Sequence, residues 1–327
     1  MRIHIQNPPA GDPFAFTTEQ WADATARAGA IGAEHDVSIG ATEAELARAM
    51  TEAEALITDV DTLRELPPRG AARLRLVFVT SAGLDTLAPY DWLPSGAALL
   101  NNRGAHAAKA GEFAIMAVLM LASGMPAMLT AQRAGRWEKR WGHALAGERI
   151  TIIGLGTLGG AAAMQAARFG MHVTGVRTAG GGAHPHCERV IAAADLDAVL
   201  PTTECLLLAC PLTDATRGLI DRRRLMLLPR GAGLVNIGRG GLLDQDALCD
   251  LLDVGHLSGA VLDVFTPEPV PPGHRLWSTP NLVMSPHTSA DDPRTYNPLS
   301  LDIFFDNLRA VRDGRPLPNR FDTTRGY

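Results

Sequence analysis

Short apolar runs alternate with helix-like stretches along the whole chain. In the first third, "RIHIQ", "EALITDV", "RLRLVFVTSAG" and "AALLNN" read as strands, separated by segments such as "TTEQWADATARAG" and "TEAELARAM". A second series opens at residue 149 with "RITIIGLG" and continues through "HVTGV", "CLLLAC", "GLVNIG", "GAVLDVF" and "NLVMSPH". These runs are continuously apolar rather than alternating, the pattern of parallel strands covered on both faces. The expected fold is α/β, with two doubly wound parallel-sheet units. Near the end, "SLDIFFDNLRAVRDG" sets Leu301, Phe304, Phe305, Leu308 and Val311 at helical spacing. A helix there, following the second series, can return to the first unit and make it discontinuous. The apolar run at 113–129, interrupted by Gly124 and Pro126, is short for a membrane span and reads as a buried or interface helix.

Composition narrows the function classes. A chain of 327 residues accommodates two domains. A net charge of -5 argues against nucleic acid or an anionic membrane as partner, and Arg222-Arg223-Arg224 reads as a solvated helix start. The four cysteines form no CxxC pair. Cys205 and Cys210 lie in an apolar run, where reduced cysteine behaves as a small hydrophobe, so a reducing, cytoplasmic compartment is expected. "HPHC" (184–187) has no second ligand cluster to match it and reads as a loop, with no metal expected. The opening "MRIHIQNPPAGD" lacks the apolar stretch of a secretion signal.

The strongest local signal is "ITIIGLGTLGGAAAMQAARFG", with Gly154, Gly156 and Gly159 in GxGxxG spacing. The pattern alone is weak, but here it follows an apolar strand and opens an Ala-rich helix, as dinucleotide binding requires. Gly154 permits the tight turn, Gly156 lets a pyrophosphate approach the backbone, and Gly159 lets helix and strand pack closely. N–H groups at the helix start, around Thr157 and Leu158, then face the phosphates. About 20 residues on, a carboxylate is expected where the ribose 2′-hydroxyl is unmodified. The chain instead carries Arg177 and Thr178, which attract and donate to a 2′-phosphate. NADP(H) is therefore expected in preference to NAD(H), which stays open.

Three polar residues follow successive strands of the second series: Arg239 after "GLVNIG", Glu268 after "GAVLDVF" and His287 after "NLVMSP". In an open α/β sheet, ligands collect at the carboxyl ends of strands, so one crevice can receive all three. The set suits hydride transfer to a 2-oxo acid. Arg239 can hold a carboxylate and polarise a ketone, His287 can exchange the proton, and Glu268 can fix the imidazole tautomer and raise its basicity.

With "GLGTLG", "PLTDATRGLID", "VNIGRGGLLDQDAL", "GAVLDVFTPEP" and "SPHTSA" in order, the chain resembles the D-isomer-specific 2-hydroxyacid dehydrogenase family over nearly its whole length, and its ending is most similar to the glyoxylate/hydroxypyruvate reductase group. The resemblance implies a flavodoxin-like substrate domain from residues 1–103 and 288–327, with a Rossmann dinucleotide domain, 104–287, inserted. It implies Arg239, Glu268 and His287 as the catalytic set. From "TSAGLD" it implies a substrate-carboxylate loop at Ala82, Gly83 and Leu84. It implies cofactor contacts from Cys210, Pro211, Thr216, Ile237 and Gly238, and Asp263 near the carboxamide. Relatives are usually homodimers through the nucleotide domain, which points to 113–129 and the arm "GRWEKRWGH" with Trp137 and Trp141. His106 and Tyr296 are open as substrate contacts. Two alternatives remain: a formate- or phosphite-type dehydrogenase, and a non-catalytic dinucleotide sensor of corepressor type.

Overall fold

A computed structural model describes residues 1–326. The chain divides into two units, Met1–His106 with the segment beginning at Asp292, and Ala107–Asp291. The crossings lie three and four residues beyond those read from the sequence, and local contacts explain both. The His106 ring meets Tyr296, with centroids 5.2 Å apart, so His106 goes with the first unit. Residues 288 and 289 are hydrogen-bonded to Asp263, so they go with the second.

The first unit holds strands β1 (Arg2–Gln6), β2 (Asp36–Gly40), β3 (Ala55–Thr58), β4 (Leu76–Val79) and β5 (Ala98–Leu100), with helices α1 (Thr18–Ala28), α2 (Glu43–Ala49) and α3 (Val60–Glu65). The sheet order is β2-β1-β3-β4-β5, every pair parallel. Alternate residues serve opposite faces. Leu76 and Phe78 enter one core, and Val77 and Val79 enter the other. α1 and α2 each begin with a capping box, Thr17 with Gln20 and Thr42 with Glu45, which satisfies orphan donors at the first turn.

The second unit holds α4 (Ala107–Ala122), α5 (Met125–Arg133), β6 (Arg149–Ile153), α6 (Thr157–Arg168), β7 (His172–Arg177), β8 (Arg189–Ala192), α7 (Leu196–Val199), β9 (Cys205–Leu208), α8 (Arg222–Leu227), β10 (Gly233–Asn236), α9 (Gln245–Asp253), β11 (Gly259–Leu262) and β12 (Leu282–Met284). Its sheet is parallel throughout in the order β12-β11-β10-β9-β6-β7-β8. Leu206 and Leu208 of β9 face one core, Cys205 and Leu207 the other; this two-sided burial is why the run reads as unbroken apolar sequence. The last helix, α10 (Tyr296–Arg312), belongs to the first unit. Its Phe304 ring packs 5.6 Å from Phe78 and its Phe305 ring 5.2 Å from Trp21.

Two strands escaped the sequence reading. β2 and β8 are edge strands, only partly buried, so neither shows the continuous apolar signature. The 113–129 segment needs correction, since it is two helices rather than one. Gly124 takes a left-handed conformation, φ 68°, Pro126 sits in the first turn of α5, and the two axes meet at 70°. Among the described residues no single helix is long and apolar enough to cross a membrane.

Candidate active site

The glycine loop joins β6 to α6. Gly154 has φ +92°, and a Cβ there would lie 2.7 Å from the Cys210 backbone; one at Gly159 would lie 1.8 Å from the Gly154 carbonyl oxygen. Packing within the protein demands both glycines. Gly156 is different, because a Cβ there meets nothing within 4 Å and its φ of -75° is open to any residue. Nothing in the protein requires glycine at this position, and the open space beside it suits a ligand that must touch the backbone. Gly156 is also the N-cap of α6 without a side-chain cap. The first N–H groups of the helix, at Thr157 and Leu158, therefore lack the partner a capping side chain would give and face an anion favourably. The open space at Gly156 and the uncapped start of α6 suit a dinucleotide pyrophosphate.

Arg177 ends β7 half-buried, and Thr178 follows it exposed. Cys210 and Ile237 lie buried just past the ends of β9 and β10. Gly238 is held to the Cys210 carbonyl, since a Cβ would come 2.9 Å from that oxygen. Pro211 is exposed, and its carbonyl accepts from Thr216 Oγ1 at 2.8 Å. These residues gather at the carboxyl edge of the sheet.

Arg239, Glu268 and His287 come together there from three neighbouring strands, β10, β11 and β12. His287 Nδ1 lies 2.8 Å from Glu268 Oε2, and Glu268 Oε1 accepts from the Phe265 N–H at 2.6 Å. Both carboxylate oxygens are thus engaged, and the imidazole is turned so that Nε2 is the free nitrogen. The hydrogen bond to Glu268 raises the His287 pKa above its ordinary value, outweighing the opposing effects of burial and of the Arg239 charge. Burial pushes Glu268 upward, but the bonds from His287 and Phe265, with the charges of His287 and Arg239, bring it below the ordinary carboxyl value. Arg239 is half-buried, and its charge acts on both members of the pair.

Neighbours hold this arrangement. Asn236 Nδ2 donates to the Arg239 carbonyl at 3.0 Å, and its Oδ1 accepts from the Gly238 N–H at 3.0 Å. His287 has φ 55°, a left-handed conformation uncommon outside glycine. Its N–H donates to the carbonyls of Asp263 and Ser285. The Asp263 side chain, 1% exposed, accepts from Ser285 Oγ at 2.6 Å, Thr288 N at 3.0 Å and Ser289 N at 3.1 Å. It braces the His287 turn. Asn236 was missed in the sequence, although an amide inside an otherwise apolar strand was a usable signal. The Asp263 partners left none.

In the first unit, Ala82, Gly83 and Leu84 follow β4. The Ala82 carbonyl accepts from Asn101 Nδ2 at 2.8 Å and the Leu84 carbonyl from the Tyr90 hydroxyl at 3.1 Å. Tyr296 donates to the Thr80 carbonyl, and Phe14 packs on its ring at 4.8 Å. The loop is pinned through its carbonyls. Among the described residues no hydrogen bond engages the N–H groups of Ala82, Gly83 and Leu84.

Residues 115–289 match the model of the D-isomer specific 2-hydroxyacid dehydrogenase NAD binding domain. A glyoxylate reductase/hydroxypyruvate reductase of Homo sapiens is 30% identical over 276 residues, 81% of each chain. A D-isomer specific 2-hydroxyacid dehydrogenase from Xanthobacter autotrophicus Py2, solved with NADPH and MES, superposes with a TM-score of 0.77 at 30% identity, covering 99% of both chains. An NADPH-dependent glyoxylate/hydroxypyruvate reductase from Sinorhizobium meliloti, solved with NADP and sulfate, gives 0.80 at 25% identity, covering 100% of this chain and 99% of that one.

Proposed function

This chain belongs to the D-isomer specific 2-hydroxyacid dehydrogenase family, and from that membership we propose that it reduces a small 2-oxo acid of the glyoxylate or hydroxypyruvate kind to the D-2-hydroxy acid, with NADPH preferred. It is an NAD(P)-dependent oxidoreductase of the family. The catalytic reading rests above all on the His287–Glu268 pair at 2.8 Å beside the Arg239 charge, and the NADPH preference on Arg177 at the end of β7.

A reduced nicotinamide dinucleotide, its pyrophosphate held by the Gly154–Gly159 loop, would supply the hydride. His287, protonated on both nitrogens, donates from Nε2 to the ketone oxygen that becomes the hydroxyl. Glu268 keeps Nδ1 protonated and holds the ring in place. Arg239 forks onto the substrate carboxylate and draws electron density from the ketone. The N–H groups of Ala82, Gly83 and Leu84, which no hydrogen bond engages among the described residues, are the substrate-carboxylate loop proposed for the first unit. In the oxidative direction neutral His287 takes the proton back. General acid–base help of this kind contributes roughly 10²–10⁴-fold. Asp263 acts in this reading both beside the carboxamide and as the brace of the His287 turn.

A homodimer through the second unit is part of the proposal. Met116, Leu119 and Met125 are 44%, 37% and 37% exposed on α4 and α5, and Trp137 and Trp141 are 94% and 88% exposed. Five large apolar side chains in water in one stretch of chain are more than a monomer needs to show. All four cysteines are free thiols, in keeping with a reducing, cytoplasmic setting. The test is initial-rate kinetics with NADPH and NADH against glyoxylate, hydroxypyruvate, pyruvate and phenylpyruvate. Turnover of the small acids with NADPH is expected. Cofactor binding without turnover on any acid would mark a sensor and overturn the proposal.

A further inference from the structure

The segment between β7 and β8 contains the "HPHC" motif, which the reaction chemistry leaves unused. His184 is half-buried there. Its Nδ1 accepts from the His186 N–H at 3.3 Å and stands 3.5 Å from Cys187 Sγ. Burial pushes the Cys187 thiol up to about 11, so it stays protonated and offers its S–H to the same nitrogen. With Nδ1 serving as acceptor, the proton of the neutral ring sits on Nε2. That nitrogen faces the first turns of α6, 3.4 Å from where a Cβ on Gly160 would be. Arg177 approaches the same segment from β7. Its Nη1 lies 3.7 Å from a Cβ position on Gly182, and its charge reaches both His184 and Cys187.

A dinucleotide seated on the glycine loop places its adenosine ribose at the end of the strand that follows, here β7. We propose that His184 is a specificity-determining residue that donates Nε2–H to the 2′-phosphate of NADP(H), working beside Arg177. The inference rests on the dinucleotide reading of the Gly154–Gly159 loop and on the NADPH preference drawn from Arg177. A neutral donor suits the position. Burial, the Arg177 charge and His186 all lower the His184 pKa, so a second full cation is disfavoured beside the guanidinium. The groups facing the ring are Arg177 from β7 and His186 and Cys187 from its own loop. α6 presents the backbone of Gly160 there, and its ionisable Arg168 lies in the last turn.

Dissociation constants of NADPH and NADH, and competition by adenosine 2′-monophosphate against the 5′-isomer, are measured on the full chain for the native protein, H184A, H184Q and R177D. A hydrogen bond to a charged group is worth roughly tenfold or more. H184A is expected to weaken NADPH and the 2′-nucleotide by about that factor while NADH changes less than twofold. H184Q, whose amide can donate, is expected to recover most of the loss, with the preference persisting at pH 8. An equal loss for both cofactors, an unchanged NADPH affinity, or a His184 effect present only at acidic pH would overturn the proposal. R177D separates the two levels. If R177D lowers the NADPH preference and H184A does not, only the His184 role falls; if neither alters it, the NADPH reading falls as well.

Discussion

Replacing Glu268 by Gln tests the proposed acid–base pair most directly. Glu268 uses one oxygen for the Phe265 N–H and the other for His287 Nδ1. Glutamine has one carbonyl oxygen, so E268Q loses the negative charge and one of the two bonds. At 2.8 Å, opposite unit charges attract by ~1.5 kcal/mol with the screening of water and ~6 kcal/mol at an effective dielectric near 20. The side chains are 47% and 35% exposed, which places the pair toward the weaker end. About 1.4 kcal/mol is tenfold. The sign follows from the raised His287 pKa: native His287 keeps its proton to a higher pH than the ordinary value of 6.5 and loses it as pH rises through the folded value. E268Q brings that loss to lower pH. The kcat/KM for reduction should fall about tenfold near pH 8, and the loss should shrink steadily as pH falls and the variant's imidazole regains its proton. The pH profile of kcat/KM with saturating NADPH is the assay. A native-like profile, or a loss equal at every pH, would refute the proton-holding role.

Three further outcomes are expected. G156A should leave the thermal midpoint unchanged and weaken dinucleotide binding, because its Cβ enters open space in the protein alone; G159A should lower both, its Cβ lying 1.8 Å from the Gly154 oxygen, and thermal melts with and without cofactor distinguish them. D263N leaves fewer acceptors for Ser285, Thr288 and Ser289 and should cost ~1.5–3 kcal/mol of stability, with kcat falling more than cofactor affinity, as denaturation and initial rates would reveal. Charged substitutions at Met116 and Leu119 should shift the species seen by light scattering from dimer to monomer; a native monomer would contradict the proposed interface.

The alternation of apolar runs and helices, the GxGxxG turn and the order of Arg239, Glu268 and His287 were all legible in the sequence. Buried parallel strands must be apolar on both faces, and a strand-to-helix turn this tight demands glycine at Gly154 and Gly159. These constraints act over a few neighbouring residues, so they leave a local trace. The edge strands β2 and β8, half in water, left a faint one. The break at Gly124 was visible as a composition change, but its 70° angle was set by how two helices pack. Tertiary structure alone decided that Asp263 accepts from a turn more than twenty residues away and that the Glu268 carboxylate is shared between Phe265 and His287. It also decided that His184 aims Nε2 toward α6. Each is a matter of direction and distance between groups remote in the chain, and a side chain's partner across space is fixed only when the strands beneath it are stacked in register.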